Sequence, residues 1–281
     1  MEFVTSSEKK KRAFALGLRY AVMIALLTVF VGPFLWLFSM AIRPMGADVY
    51  ELTLFVENPT FGNFVDVWQL YGFERAFLNS VMVVTFIIIL NIIICSLAAY
   101  PLARIKFPGS QVVFIIILST LMIPFQIYMI PLFILMRDLN LIDTLTAVVL
   151  PFSVGAFGIF LLRQYYMTIP KDLEEAARID GAGEFNIWWL VMFPLTKPAV
   201  AAMAIFVFVA QWSNFLWPLV VLDSREKWTL PIAIEFLSGG MVERTQYIAA
   251  GSVIAVFPVI VLFFFLQRYF LGELTLGAVK E

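Results

Sequence analysis

The chain has 281 residues, of which 62% are hydrophobic and 14% are charged, and its formal net charge is -1. A soluble domain usually carries about 25% charged residues, so lipid is the expected solvent. The sequence contains no histidine and a single cysteine. These counts exclude an intrachain disulfide and argue against zinc sites and histidine-dependent catalysis, so we predict no catalytic and no metal-binding residues.

Six windows without Asp, Glu, Lys or Arg are long enough to cross a bilayer, which takes roughly 20 apolar residues. The windows comprise residues 20–42, 76–103, 107–136, 144–162, 198–222 and 245–266. A soluble protein with buried helices would need six such runs by chance. The pattern therefore predicts an all-α polytopic protein with six transmembrane helices. The first window is longer than a signal-peptide core and lacks a cleavage pattern, so we expect it to be retained.

The distribution of lysine and arginine predicts the orientation of the chain. Most of the 19 basic residues fall on the side that holds both termini when six spans are counted. Because cytoplasmic loops are enriched in lysine and arginine, both termini are predicted to be cytoplasmic. The predicted organisation is a cytoplasmic tail over residues 1–19, a six-span domain over residues 20–270 and a second cytoplasmic tail over residues 271–281.

The long connection between the fourth and fifth windows has the features of a short surface helix. Asp172, Glu174 and Glu175 would lie at the positive end of the helix dipole, and Gly181 suits a left-handed terminus. A helix of roughly nine residues is marginal alone in water, so the membrane domain or a partner must hold it. The residues alone leave two alternatives open: a helix that only lies on the bilayer, and a helix that docks into another protein.

The spacing within this connection is specific: Glu175-Ala176-Ala177 is followed by Asp180-Gly181-Ala182 and then by Phe193-Pro194-Leu195. With this spacing the segment resembles the EAA loop of permease subunits from binding-protein-dependent ABC importers. Other stretches resemble the MalG-type permeases of carbohydrate importers, namely Asn79-Ser80, residues 140–144, residues 212–218, Thr229-Leu230-Pro231 and residues 277–280.

The resemblance implies a type I ABC importer permease with the MetI-like fold. The EAA loop, here residues 167–195, would carry a coupling helix that fits a cleft of a partner ATPase. The implied ATPase-coupling residues are Glu174, Glu175, Ala176, Ala177, Arg178, Asp180, Gly181 and Ala182. The C-terminal tail would also contact the ATPase, through Gly277, Ala278, Val279 and Lys280.

The resemblance also implies the partners and the location of the protein. The partners would be a second homologous permease, a dimer of ABC ATPases that holds ATP and Mg, an extracytoplasmic sugar-binding protein and membrane lipid, with no nucleic acid. The chain itself has no Gly-x-x-x-x-Gly-Lys-Ser/Thr loop, so it is expected to bind no cofactor and not to be an enzyme. Its expected location is the cytoplasmic (inner) membrane of a prokaryote.

The six windows carry no charged side chain, whereas ion-coupled transporters usually place titratable groups at mid-membrane. This favours an external energy source and a neutral, hydroxyl-rich substrate. The predicted substrate path is lined by polar and aromatic side chains: Asn91, Gln126, Gln211, Trp212, Ser213, Asn214 and Trp217. The amides could instead join one helix to another, and the aromatic side chains could be ordinary anchors at the membrane boundary.

Three other functions stay open at this point. The first is a permease for glycerol phosphate or another polar solute, the second a stand-alone secondary transporter, and the third a membrane-embedded enzyme. A phosphate ligand would want cationic groups along the path.

Overall fold

The computed structural model describes residues 6–48, 53–238 and 245–277, and every regular element in these ranges is a helix. This confirms the all-α class. The α-helices in chain order are α1 Ser6–Ala41, α2 Gly62–Leu70, α3 Phe73–Arg104, α4 Ser110–Ser119, α5 Phe125–Asp138, α6 Leu145–Val149, α7 Ala156–Thr168, α8 Asp172–Ile179, α9 Glu184–Asn186, α10 Phe193–Leu195, α11 Lys197–Trp212, α12 Leu216–Val221, α13 Leu230–Ser238 and α14 Thr245–Gly277.

Three described helices are continuous and apolar enough to cross a membrane: Phe14–Ala41, Phe73–Arg104 and Thr245–Phe265. They coincide with the first, second and sixth windows of the sequence. Three further candidate spans are pairs of helices that bend by more than 40° at a short break. If each bent pair counts as one span, the described residues hold six.

Proline marks the sharpest of these breaks. Ser110–Met122 and Phe125–Asp138 meet at 99°, and Pro124 is the N-cap of α5. A proline lacks the backbone N–H and clashes with the preceding turn, so a helix readily ends just before it. Leu145–Phe152 and Ala156–Thr168 meet at 43°, with Pro151 in the 3₁₀ turn that precedes the break.

The fifth window is divided differently from the sequence expectation. The window predicts one span over residues 198–222, but α11 ends at Trp212 and α12 begins only at Leu216. On its other side, Lys197–Trp212 pairs with Glu184–Leu195 across a 76° bend. Apolar composition alone cannot locate these ends, because residues 213–215 interrupt the helix without adding a charge.

Residue contacts divide the chain into two compact units. The first contains Met1–Tyr71 and Phe236–Ile254, and the second contains Gly72–Glu235 and Ala255–Glu281. In the first unit, the buried amide of Asn63 donates to Ala41 O at 2.8 Å and to Arg43 O at 2.7 Å. These bonds satisfy carbonyls at the end of α1, where intrahelical partners run out.

The second unit is organised around α3, which contributes to two buried clusters. One cluster includes Cys95 and Ala99 of α3 together with residues of α7, α11 and the helix over residues 184–195. The other includes Val83 and Ile87 of α3 together with residues of α5, α6, α12 and α13. A helix of 32 residues is about 48 Å long, so one helix can reach both clusters.

Candidate coupling helix and substrate path

Helix α8 ends in a Schellman motif. Gly181 has φ +81°, which is the left-handed region that favours glycine. Its N–H donates to Arg178 O at 3.0 Å, and the N–H of Ala182 donates to Ala177 O at 2.9 Å. These are the two bonds that define the motif. The left-handed terminus predicted at Gly181 is confirmed, and the helix has eight residues against roughly nine expected.

The two glutamates of α8 have different environments. Glu174 is 3% exposed, whereas Glu175 is exposed. The family resemblance implies an ATPase-coupling role for both. Helical geometry separates them, because adjacent residues point about 100° apart around the axis. Glu174 therefore faces inward, towards Arg104 of α3, and its ATPase-coupling role stays a prediction.

A network of five side chains joins this segment to the last turn of α3, and we call it the inner network: Tyr100, Arg104, Glu174, Arg178 and Glu184. Its Arg104–Glu174 part is buried, whereas the Arg178 and Glu184 side chains are 41% and 47% exposed. Arg104 Nε lies 2.8 Å from Glu174 Oε1, and the two side chains are 3% and 4% exposed. Arg178 Nε donates to Glu184 Oε1 at 2.8 Å. Tyr100 Oη donates to Glu184 Oε2, also at 2.8 Å. Because Glu184 accepts from it, the guanidinium of Arg178 has a pKa above its ordinary value.

Behind the inner network lies a buried hydrogen-bonded trio. Ser96 and Tyr166 are fully buried, and their hydroxyl oxygens lie 2.6 Å apart. Trp188 Nε1 donates to Ser96 Oγ at 3.0 Å. The trio joins α3, α7 and the helix over residues 184–195, and it satisfies three polar groups that burial would otherwise penalise.

The outward face of α8 combines small, charged and apolar side chains. Glu175, Ala176 and Asp180 are exposed, whereas Ala177 and Ala182 pack partly against the buried cluster beneath. Ile179 is 87% exposed, and Phe185 just after the motif is 65% exposed. Exposed apolar side chains next to charged residues are one feature of surfaces that another protein covers.

The predicted path residues fall into two groups. The first group is buried in packing contacts: Trp217 Nε1 donates to Ala147 O at 2.9 Å, Trp212 Nε1 donates to Ala255 O at 2.8 Å, and Asn91 Nδ2 donates to Phe152 O at 2.6 Å. All three side chains are 6% exposed or less. In this conformation they join helices and do not face open space.

The second group keeps accessible polar atoms. Gln126 and Ser213 are exposed, and Gln211 and Asn214 are half-buried. Asn214 Nδ2 donates to Gln211 Oε1 at 3.0 Å, so these two amides form a pair at the end of α11. The role of all seven residues in a path stays a prediction, and the geometry favours this second group for it.

At the other end of α3, polar side chains hold the loop after α12. Asn79 Nδ2 donates to the carbonyls of Glu226 and Trp228 at 2.8 and 3.0 Å. Ser80 Oγ accepts the N–H of Leu230 at 2.8 Å. The residues of the Asn79-Ser80 and Thr229-Leu230 stretches, matched in the sequence only by resemblance, thus meet in space.

Asp143 fastens the same loop from another side. Its Oδ1 atom accepts hydrogen bonds from the backbone N–H groups of Asp223 and Ser224 at 3.0 and 2.9 Å. Its Oδ2 atom forms an ion pair with Lys227 Nζ at 2.9 Å. The hydroxyl of Ser224 also donates to this carboxylate. The hydrogen bond from the Ser224 side chain, and to a smaller extent the one from Lys227, hold the pKa of Asp143 well below its ordinary value.

Sequence reasoning missed Tyr100, Arg104 and Glu184. Arg104 directly follows the second window, where its sequence position indicates only a basic residue of a cytoplasmic loop. The available signal was its position four residues after Tyr100, which places both on one face of α3. The predicted tail contact begins at Gly277, the last residue of α14, and Ala278, Val279 and Lys280 lie outside the described residues.

These features define a polytopic helical membrane protein with an exposed, firmly anchored helix between two of its spans. A family model for the binding-protein-dependent transport system inner membrane component matches residues 91–273. The chain belongs to this family, whose members are multi-pass permeases of ABC importers.

Relatives and a solved structure agree with this assignment. The chain is 41% identical to the arabinooligosaccharides transport system permease protein AraQ of Halalkalibacterium halodurans, over 92% of this chain and 93% of that protein. It is 33% identical to the melibiose/raffinose/stachyose import permease protein MelC of Bacillus subtilis, over 88% and 91%. A bacterial ABC transporter involved in the import of the acidic polysaccharide alginate is similar with a TM-score of 0.80 and 27% identity, over 96% of this chain and 100% of that chain.

Proposed function

We propose that this chain is a permease subunit that carries a neutral oligosaccharide inward across the cytoplasmic membrane. The energy comes from ATP hydrolysis in a separate ABC ATPase dimer, which holds the ATP and Mg. A second homologous permease completes the membrane path, and an extracytoplasmic sugar-binding protein delivers the substrate. Both termini are cytoplasmic, as the excess of lysine and arginine on their side favours.

The observation that carries the coupling role is that α8 has an exposed face while its opposite side is anchored to α3. Residues 167–195 form the EAA coupling loop, with Glu175, Ala176 and Asp180 outward and Glu174 paired beneath them. An eight-residue helix is too short to be stable alone, so its anchoring to α3 presents a preformed surface. A preformed surface loses little conformational entropy when a partner binds it.

The substrate class rests on two kinds of support. Relatives with 41% and 33% identity are permeases of arabinooligosaccharide and of melibiose, raffinose and stachyose systems. The predicted path residues carry amides, a hydroxyl and indoles but no charge, which suits the hydroxyl groups of a neutral sugar. The alginate transporter, by contrast, imports an acidic polysaccharide. A cationic path would be expected for such a substrate or for glycerol phosphate.

The deciding experiment measures uptake by the assembled complex in proteoliposomes. The complex contains this chain, its partner permease, the ATPase and the binding protein. We expect ATP-dependent accumulation of labelled arabino-oligosaccharides or raffinose and no accumulation of alginate oligosaccharides or glycerol phosphate. Accumulation of the anionic solutes alone would refute the substrate class. Uptake by this chain without an ATPase would refute the ATP-driven mechanism.

A second experiment tests the docking surface directly. Burial of an isoleucine side chain contributes about 1.5–3 kcal/mol. Ile179→Asp should therefore weaken association with the ATPase by roughly tenfold or more, measured by co-purification from detergent. Phe55→Asp, at an apolar side chain that is 93% exposed between the first and second windows and thus on the predicted outer side, is the control and should retain the ATPase. Equal retention of the ATPase by Ile179→Asp and the wild type would refute docking on this face.

A further inference from the structure

The last turn of α3 contacts the coupling segment at three successive places. The guanidinium of Arg104 donates to Ile169 O, ahead of α8, and forms its ion pair with Glu174 within α8. Tyr100 donates to Glu184 after the Schellman motif. Tyr100 and Arg104 are four residues apart, so one face of α3 supplies every one of these contacts.

The burial of the Arg104–Glu174 pair indicates that it fixes a geometry. Removing two charges from water is costly, and a well-packed apolar pair often stabilises a fold as much or more. What the pair provides is one defined arrangement, because a buried carboxylate without its cation would be strongly penalised. Displacement of α8 relative to α3 would break this contact, so the two helices are expected to move together.

The same helix is held to a loop at its far end. Asn79 and Ser80 bond the backbone of residues 226–230, as described above. Ser80 and Arg104 are separated by 24 positions of one continuous helix, which corresponds to about 36 Å. α3 therefore joins the coupling segment to a loop on the opposite side of the membrane domain.

We propose that Arg104 and Tyr100 are positioning residues that fix the coupling helix to α3. When the ATPase displaces α8, α3 then moves with it as a rigid body, and the displacement reaches residues 226–230. This inference rests on the proposed function, since it requires an ATPase that moves α8. Neither residue contacts substrate or nucleotide in this mechanism.

The test uses the assembled complex in proteoliposomes and measures the number of sugar molecules transported per ATP hydrolysed. The double variant Arg104→Met with Glu174→Met removes both charges together, so neither is left buried and unpaired. We expect ATP hydrolysis to continue and transport per ATP to fall by roughly fivefold or more. A purely structural role would reduce both rates in proportion to the assembled complex, and an unchanged ratio would overturn the inference.

A milder variant decides the question if the double variant does not assemble. Tyr100→Phe removes only the hydroxyl that donates to Glu184. It keeps the ring that packs against Tyr166, with 5.9 Å between the ring centroids. We expect transport per ATP to fall by a smaller factor, and a ratio equal to that of the wild type would refute the role of Tyr100.

The control removes a different ion pair. Arg137→Gln with Asp138→Asn eliminates a pair whose side chains are 62% and 60% exposed, and its transport per ATP should match the wild type. If the wild-type complex imports no neutral sugar, the proposed function fails. If the wild type imports sugar, and the Arg104 and Tyr100 variants transport as much sugar per ATP as the wild type, only this inference fails.

Discussion

Gly181 provides the sharpest test of the coupling helix, because its cost of substitution can be assigned to the backbone alone. Its φ is +81°, and a Cβ built on it would meet no atom within 4 Å. The free-energy cost of a residue other than glycine therefore comes from the left-handed backbone conformation and not from a steric clash. This penalty is about 1–2 kcal/mol for an ordinary L-residue and is smaller for asparagine.

In a helix of eight residues, such a penalty lowers the ratio of correctly ended α8 to frayed α8 by roughly 5- to 30-fold. We therefore expect sugar uptake in proteoliposomes to decrease in the order Gly181→Asn, Gly181→Ala, Gly181→Val. Gly183 is the matched control, since it also has no neighbour within 4 Å but has φ −73° and ψ 161°. Gly183→Ala and Gly183→Val should transport as the wild type does. Wild-type uptake by Gly181→Val, or equal defects at both glycines, would refute the reasoning.

Three further predictions concern packing, charge and the path. Gly158→Ala would place a Cβ 2.8 and 2.9 Å from two sulfur atoms, so it should reduce the unfolding free energy by about 1–3 kcal/mol in a detergent denaturation series. Asp143 has a lowered pKa, so its stabilising effect is complete above about pH 4 and is lost as the pH falls further. Asp143→Asn should therefore melt below the wild type at about pH 7 and by a smaller margin at about pH 3. Trp217→Ala should cost about 3–5 kcal/mol of stability, whereas Asn214→Ala should raise the KM for sugar with an unchanged melting temperature.

The sequence was sufficient for the membrane class because length and apolarity are local properties. A window such as residues 76–103 predicts a spanning helix without knowledge of its neighbours, and α3 confirms it. The ending of α8 was likewise predictable, since the left-handed conformation at Gly181 depends on one residue type. The basic loops allowed an orientation to be predicted for the same reason.

Only the tertiary structure separated packing residues from accessible ones. Trp217 and Asn214 are three positions apart in one polar and aromatic stretch, yet the first is fully buried and the second is half-exposed. Glu174 and Glu175 are adjacent and acidic, yet only Glu174 pairs with Arg104, which lies 70 positions earlier in the chain. Burial and pairing depend on which distant segments meet, and a local pattern contains no information about that. The sequence alone therefore determined a membrane permease with a short helix between two of its spans, and the fold decided which residues hold that helix in place.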